Sequence, residues 1–358
     1  MKKRLFAILA CAAMLMTTLS ACGGNAASQS SDVASSGSTA TASSEAENSL
    51  SDFKPQKIVI SHNSASSNPE PTALAWFAEE LEKRTDGNIT CETFFDSVLG
   101  SETETMDQMT EGTIQISIFG TSLMDKYAPE YAVFSVPYLF GDLEHIKACW
   151  EGPIGQAICE KLADNNIMVA GYAYKGNRQL TCNRYVQTPD DLKGMKIRMA
   201  ENPTFIKVWE ALGTLPTVIS ANESYTSLQN GVVEAQENPI ITNNNRCFYE
   251  VQDYTILTNH YVDFSRVAIC KSWFDALPQE YQDIVLELAE EAGEMSTRTV
   301  NDNETAARAN QEEHGMEFVE VDETPFREVA MSVLPEIAAN WADGVYEQAM
   351  KDAGLSAA

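Results

Sequence analysis

The sequence predicts an α/β fold in which helices cover a sheet. Short apolar runs alternate with amphipathic helical patterns from residue 57 onward, and this alternation is typical of parallel strands joined by helices. Gly87, Gly213 and Gly231 stand where helices would end. The chain has 358 residues, of which 44% are hydrophobic, so it can build the core of one large domain or of two medium ones.

The first part of the folded chain predicts a strand–helix–strand series. Residues 57–60 form a short apolar strand, and residues 71–85 follow as a helix with apolar side chains on one face and charged ones on the other. Residues 89–94 read as the next strand and residues 102–111 as a helix. Isoleucines alternate strictly over residues 114–118 and predict a third strand.

A second unit of the same kind begins near residue 167. Strands are expected at residues 167–174 and 196–199, and Asn202-Pro203 is a good helix start because it combines a cap with proline in the first turn. A further helix is expected over residues 222–231. Residues 278–314 read as one continuous helix. It would be roughly 50 Å long, enough to cross from one lobe to another.

The charge of the chain excludes polyanionic partners. There are 24 Lys and Arg against 52 Asp and Glu, and the formal net charge is −28. Nucleic acids require Lys and Arg to neutralise their phosphates, and anionic lipid headgroups attract basic surfaces. We therefore expect no nucleic-acid partner and no docking on a membrane through a basic face.

The N-terminus resembles a bacterial lipoprotein signal over residues 1–22. Basic residues 2–4 precede an apolar run at residues 5–16, which is too short to span a bilayer core about 30 Å thick. Small residues then lead to Cys22, as in a lipobox, where the cysteine receives a diacylglyceryl group. The alternative is an ordinary signal peptide with an incidental cysteine. No other window approaches the length of a membrane-spanning helix.

Residues 23–52 predict a disordered tether between a lipid anchor and the folded body. This segment has ten serines, no aromatic residue and only two sizeable aliphatic residues. It cannot bury enough apolar surface to offset the entropy lost on ordering. As a flexible coil it would reach roughly 30 Å.

Six cysteines remain after this segment, and their state is open at the level of sequence. They lack a CxxC pair and have no Cys/His spacing of a zinc site. An extracytoplasmic location permits disulfides, but buried free thiols are at least as good an interpretation. The six are Cys91, Cys149, Cys159, Cys182, Cys247 and Cys270.

Motifs of common catalysts are absent from the sequence. It contains no GxSxG, GxxxxGK[ST], GxGxxG or HExxH, and none of its four histidines has a partner at a ligand spacing. Glutamates 287, 290, 291 and 294 recur at helical spacing, but such a run usually forms a solvated helix face. We expect no enzymatic activity, no cofactor and no metal.

An ordered set of short motifs resembles the DctP-type solute-binding proteins of TRAP transporters. The set extends upstream through Leu99-Gly100-Ser101 and Val136-Pro137-Tyr138-Leu139-Phe140 and downstream to the long helix, so it covers nearly everything after the tether. Its central elements are Gly176-Asn177-Arg178, Thr188-Pro189-Asp190-Asp191-Leu192-Lys193-Gly194, Lys196-Ile197-Arg198, Leu215-Pro216-Thr217, Glu223-Ser224-Tyr225, Leu228-Gln229-Asn230-Gly231, Gln236-Glu237-Asn238-Pro239, Phe248-Tyr249-Glu250-Val251-Gln252 and Thr258-Asn259-His260.

The resemblance implies a two-lobed, periplasmic-binding-protein-like (Venus flytrap) α/β fold with a long helix spanning both lobes. It places lobe one at residues 53–175 and 264–303, and lobe two at residues 176–263 and 304–358. The implied function is an extracytoplasmic receptor that closes on a small organic acid and delivers it to the membrane subunits of a TRAP permease.

The family pattern also implies binding residues. Arg198 matches the arginine that grips the carboxylate of the ligand, Arg178 a second arginine, and Asn238 the asparagine of the Gln-Glu-Asn-Pro stretch. His62 follows the first strand, where the family has binding residues, and Tyr225 could offer a hydroxyl or merely pack its helix. Asn202 is a weaker candidate, because a helix cap is the better interpretation.

Guanidinium chemistry supports the two arginines. Its planar fork pairs with a carboxylate through two parallel hydrogen bonds, which lysine cannot imitate. The alternative is that both arginines pair with acidic neighbours, for which Asp190, Asp191, Glu201 and Glu237 are available.

The sequence departs from the usual pattern at three places near the expected site. Ala221 stands where many members have an aromatic residue, Glu234-Ala235 replaces Asp-Gly, and Thr217-Val218-Ile219 replaces Thr-Pro-Met. These differences leave the fold unaffected but leave the identity of the ligand open.

Two other functions remain as alternatives. A surface-anchored enzyme acting on extracellular acids would need a general acid or base, for which Glu223, Glu237 and His62 are the candidates. The same receptor fold could also report a ligand to a sensor kinase.

Overall fold

A computed structural model describes residue 50 and residues 53–355. The expected signal, the lipidated Cys22 and nearly all of the tether lie outside these residues. No helix in the described part of the chain is both long enough and apolar enough to span a membrane. The six cysteines in this part are all free thiols.

Strands and helices alternate along most of the described chain. The strands are β1 (Gln56–Ser61), β2 (Ile89–Phe94), β3 (Ile116–Phe119), β4 (Ile167–Cys182), β5 (Lys196–Met199), β6 (Leu215–Val218), β7 (Ala235–Pro239), β8 (Tyr254–Cys270) and β9 (Glu317–Glu320). The helices are α1 (Pro69–Arg84), α2 (Glu102–Thr110), α3 (Ser122–Tyr127), α4 (Leu143–Glu151), α5 (Pro153–Asp164), α6 (Pro203–Ala211), α7 (Ser224–Gln229), α8 (Ile240–Asn245), α9 (Lys271–Asp275), α10 (Gln279–Glu313), α11 (Glu323–Ser332), α12 (Leu334–Ala338) and α13 (Val345–Asp352).

All the strands named above belong to one mixed sheet. Its order is β2-β1-β3-β8-β4-β7-β5-β6, and β9 pairs with β8. The predicted parallel pairing holds at both ends, where β1 pairs with β2 and β3, and β5 pairs with β6 and β7. In the middle, β8 pairs antiparallel with both β3 and β4, and β4 pairs antiparallel with β7.

The two central strands are much longer than the sequence indicated. β4 continues eight residues beyond the predicted end at Tyr174, and the seventeen residues of β8 were not predicted at all. The pairing of these strands shifts register at three places, and such irregularities bend and twist a strand pair. The expected helix over residues 222–231 also divides into a short 3₁₀ turn and α7.

Helix α10 is anchored to β4 by direct contact of their backbones. A Cβ atom at Gly293 would lie 2.6 Å from the carbonyl oxygen of Tyr172, and one at Gly171 would lie 2.3 Å from that of Ala289. Neither position therefore tolerates a side chain without movement of the backbone. α10 also packs against α1 towards its N-terminal end and against α8 towards its C-terminal end.

Two hydrophobic clusters support the sheet. One lies between β1, β3, α1 and the first half of α10, and includes Ile60, Phe77 and Leu288. The larger one runs along the other side and includes Phe134 and Trp209. Strand β3 is buried at all four positions, so its isoleucine alternation reflects a strand covered on both faces rather than a half-exposed one.

Candidate ligand-binding cavity

A cavity of about 610 Å³ opens where β1, β3, β5 and β6 end. The segments that follow these strands supply much of its wall, as expected at the carboxyl ends of parallel strands. Its volume is typical of small-molecule sites. Of the six residues predicted to bind ligand, four line it: His62, Arg178, Arg198 and Asn238.

Arg198 is a buried cation without an ion pair among the described residues. It lies at the third position of β5, is only 5% exposed and donates one hydrogen bond from Nε to the carbonyl oxygen of Ile219 at 2.8 Å. Burial lowers its pKa to about 10, although the charge of Glu237 opposes this effect. The guanidinium is still charged at neutral pH, and its two remaining nitrogens are left for a ligand.

Arg178, in contrast, is fully engaged by protein. Its guanidinium forms ion pairs with the Glu237 carboxylate and with Oδ2 of Asp263, the latter at 2.6 Å. It also donates to the Glu237 carbonyl oxygen and to Oδ1 of Asn238, at 2.6 and 2.9 Å. The alternative that the sequence left open, pairing with an acidic neighbour, therefore holds for Arg178, and Glu237 is the neighbour that was named.

Glu237 is held ionised by this network. Burial would raise its pKa, but the Arg178 charge and a hydrogen bond with His260 outweigh it and lower the pKa to about 2. The distance from His260 Nε2 to Glu237 Oε2 is 3.1 Å. A carboxylate with so low a pKa is a poor general acid or base at neutral pH.

Asn238 is positioned by register and by hydrogen bonds. Gln179 is its partner across the β4–β7 pair, directly after Arg178. Its Oδ1 accepts from Arg178, and its Nδ2 donates to Oε1 of Gln236 at 2.6 Å. The second amide hydrogen has no protein acceptor among the described residues, so it can donate to a ligand in the cavity.

His62 belongs to a buried polar cluster in the cavity wall. Its Nδ1 accepts from the Ser64 backbone at 3.0 Å, and its Nε2 lies 3.6 Å from Oε2 of Glu70. The same oxygen lies 3.6 Å from Nζ of Lys175. Burial lowers the pKa of His62 despite the neighbouring Glu70, so the imidazole is neutral at pH 7.

Two cations in the cavity wall were missed by sequence analysis. Lys175 stands directly before the Gly176-Asn177-Arg178 motif in the same strand, and this proximity to Arg178 was a signal that could have been used. Arg246 follows the end of α8 and donates from Nη1 to the Ala221 carbonyl oxygen at 2.8 Å. No motif in the sequence marks Arg246.

Two predicted residues do not line this cavity. Tyr225 donates its hydroxyl to Oε2 of Glu250 at 2.6 Å and packs against a small cluster around Leu228. Asn202 caps α6 by accepting from the Phe205 backbone at 2.9 Å, and it borders a neighbouring cavity of about 90 Å³. Its Nδ2 donates to Oδ2 of Asp125 at 2.7 Å. Both positions correspond to the structural interpretations.

Exposed carboxylates form the rim of the cavity. Glu104, Glu201 and Glu223 are exposed and accept hydrogen bonds from nearby serine or threonine hydroxyls. Glu223 therefore stands at the exposed rim and forms no ion pair among the described residues. The arrangement of neutral His62, ionised Glu237 and buried arginines suits the capture of an anion.

Comparison with known proteins agrees with this geometry. Residues 60–340 match the family of bacterial extracellular solute-binding proteins, family 7 (DctP). A solute-binding protein of Roseobacter denitrificans is 34% identical over 278 residues, which are 77% of this chain and 85% of that protein.

Solved structures extend the comparison to the fold. A TRAP periplasmic solute-binding protein from Roseobacter denitrificans, solved with bound L-galactonate, has a TM-score of 0.73 and 32% identity, and the match covers 81% of this chain and 100% of that one. One from Pseudomonas putida, with bound D-glucuronate, has a TM-score of 0.76 and 28% identity over 82% and 96% of the two chains. The predicted two-lobed α/β class is confirmed, and the chain belongs to the family 7 extracellular solute-binding proteins, the receptors of TRAP transporters.

Proposed function

We propose that this protein captures a small organic acid outside the cytoplasm and delivers it to the membrane subunits of a TRAP permease. The observation that carries the proposal is Arg198, a buried guanidinium in the cavity wall whose only hydrogen bond within the described residues goes to a backbone carbonyl. A buried, uncompensated charge is costly, and a ligand carboxylate would compensate it through two parallel hydrogen bonds.

Arg178 and Asn238 would then complete the contact. Arg178 is oriented by Glu237 and Asp263 and in turn holds Asn238, so the amide is presented to the ligand in a fixed position. The lobe boundaries stated above remain a prediction. Closure of the lobes would depend on the difference in ligand affinity between the open and closed forms.

The protein would act as a receptor and not as an enzyme. Among the acid–base candidates, the Glu237 carboxylate is paired with Arg178 and His260. Glu223 lies at the rim, and His62 is buried against Glu70. A bound acid should therefore be recovered unchanged.

Lipid attachment at Cys22 is part of the proposal and rests on the lipobox alone. The anchor would hold the receptor at the outer face of the cytoplasmic membrane or at the cell surface, with residues 23–52 as the tether. Labelling of cells with a radioactive fatty acid should mark the wild-type protein and leave Cys22→Ser unmarked. Equal recovery of both forms in the soluble fraction would contradict the anchor.

The decisive experiment measures binding to residues 53–358. Melting temperatures are recorded against a panel of monocarboxylates, dicarboxylates and sugar acids, with neutral sugars as controls. A ligand at a hundred times its dissociation constant adds about 2.7 kcal/mol of stability. The best acid is then titrated by calorimetry into wild type, Arg198→Ala and Arg298→Ala, the last being an exposed arginine on α10.

Arg198→Ala should lose at least about a hundredfold in affinity, because the loss of a bidentate charged contact removes roughly 3 kcal/mol. Arg298→Ala should bind as the wild type does. An Arg198→Ala affinity within about threefold of wild type, or stabilisation by neutral sugars alone, would refute the carboxylate role.

A further inference from the structure

Arg246 is the second cation of the cavity wall that has no ion pair among the described residues. It lines the cavity and donates from Nη1 to the carbonyl oxygen of Ala221 at 2.8 Å. Arg198 holds the same loop by donating to the carbonyl oxygen of Ile219. Arg198 and Arg246 therefore each donate one hydrogen bond to the same loop from the cavity side. Their other guanidinium nitrogens form no hydrogen bond with the described residues.

The two guanidinium groups are bonded to neighbouring carbonyl groups of the same loop. Their carbonyl acceptors are two residues apart, which spans at most roughly 7 Å of chain, so the two donating nitrogens are within about 13 Å of each other. The charge of Arg246 also contributes to the lowered pKa of Arg198, after burial and the charge of Arg178. Two like charges at this separation repel each other unless an anion lies between them.

The other charged side chains described in the cavity wall form no ion pair with Arg198 or Arg246, although the charge of Glu237 favours the charged form of Arg198. Lys175 faces Glu70, and Arg178 is paired with Glu237 and Asp263. Glu102 accepts hydrogen bonds from the Gly120 backbone and the Ser122 hydroxyl.

Asp96 is the carboxylate whose charge acts most on Arg246, but it is exposed and forms no ion pair with it. Both unpaired arginines therefore remain available to a ligand, Arg198 at the Ile219 end and Arg246 at the Ala221 end of the loop at residues 219–221.

We propose that Arg246 is a second anion contact and that the preferred ligand carries two anionic groups, one on Arg198 and one on Arg246. This inference rests on the proposed function and specifies its ligand as a diacid rather than a monoacid. The carboxylate of the diacid that Arg246 receives would be absent from a matched monoacid, so Arg246 determines specificity between the two.

A purely structural role for Arg246 is the competing explanation. In that case the arginine only clamps the loop at Ala221, and its loss would weaken every ligand equally. Two variants separate the explanations. Arg246→Lys keeps the positive charge, whereas Arg246→Gln keeps a hydrogen-bond donor without the charge.

The test uses pairs of acids that differ at one end only, such as glucarate with gluconate and malate with 3-hydroxybutyrate. Dissociation constants are measured by calorimetry for wild type and both variants of residues 53–358, and circular dichroism confirms that each variant is folded. For at least one pair, the wild type should prefer the diacid by at least about tenfold. Arg246→Gln should lose this preference while keeping its monoacid affinity, and Arg246→Lys should keep most of the preference.

Other outcomes overturn the inference. Equal binding of diacid and monoacid by the wild type in every pair, or an equal loss for both acids in Arg246→Gln, would assign Arg246 to loop clamping and leave the receptor function intact. A folded wild type that binds no acid of any kind would overturn the receptor function together with the inference.

Discussion

Arg178 and Arg198 line the same cavity but have opposite surroundings. Arg178 is surrounded by Glu237, Asp263 and Asn238, each within hydrogen-bonding distance. Arg198 is more deeply buried and has only the carbonyl oxygen of Ile219 as a hydrogen-bond partner among the described residues. The charge of Arg178 is compensated by carboxylates of the protein, whereas the charge of Arg198 is free to pair with a ligand.

This difference indicates that Arg178 stabilises the structure of the site, whereas Arg198 binds the ligand. Folding stability benefits from a paired buried charge and suffers from an unpaired one. The sequence motifs present both residues alike, so only their partners distinguish the two roles. Substitutions of each arginine should therefore change different quantities.

The largest effect is expected for Arg178→Ala. Its removal leaves Glu237 and Asp263 buried with one partner fewer, and the free energy of unfolding should fall by about 3–5 kcal/mol. Urea denaturation measures this directly, with Arg298→Ala as the exposed control. If the free energy of unfolding falls no more in Arg178→Ala than in Arg298→Ala, then Arg178 does not stabilise the fold and the proposed difference between Arg178 and Arg198 is wrong.

Acid titration tests the same network through Glu237. Its pKa in the folded protein is about 2, against 4.5 ordinarily, so the folded state holds this group ionised where the unfolded chain binds a proton. The stabilisation is present above pH 4.5 and is lost as the pH falls towards 2. The loss should be on the order of 3 kcal/mol and smaller in Glu237→Gln. Identical pH profiles for the two proteins would contradict the pairing.

A smaller effect of opposite sign is expected for Arg198→Ala without ligand. Burial lowers the pKa of Arg198 to about 10, so the guanidinium stays charged at neutral pH, but its charged form is less favourable in the folded protein than in the unfolded chain. Its removal should raise the free energy of unfolding by about 1 kcal/mol or leave it unchanged, while binding is lost. If this variant melts as early as Arg178→Ala, then Arg198 is a structural residue as well.

The smallest effect is expected for Tyr225→Phe. The hydroxyl bonds to Glu250 at the surface, outside the cavity, so the affinity for the best acid should change less than about threefold. Stability should fall by about 1 kcal/mol at most. A loss of affinity comparable to that of Arg198→Ala would return Tyr225 to the binding site.

Sequence reasoning predicted the ends of the sheet better than its centre. β1, β2 and β5 were expected from local apolar patterns, and α10 was placed within one residue at each end. β8 was missed because it is buried throughout from His260 onward, yet this stretch contains His260, Asp263 and Arg266. Such residues read as a loop in sequence, and only their partners on neighbouring strands allow them to be buried.

The site was predicted in part for a similar reason. Arg198 and Asn238 belong to local motifs that sequence can show, whereas Arg246 reaches the cavity only because α8 ends beside the loop at Ala221. His62 was placed correctly at the end of β1. Its neighbour Glu70 comes from the start of α1, and no spacing rule connects the two residues.

The contact between Gly293 and β4 gives α10 a mechanical role. The backbones of helix and strand are in direct contact at Gly293, with no side chain between them. The helix therefore cannot slide along the strand without a steric clash. Any movement of α10 must therefore carry the strand backbone at Tyr172 with it or separate the two backbones. A methyl group at Gly293 would push α10 away from β4, and both ends of the helix would shift together.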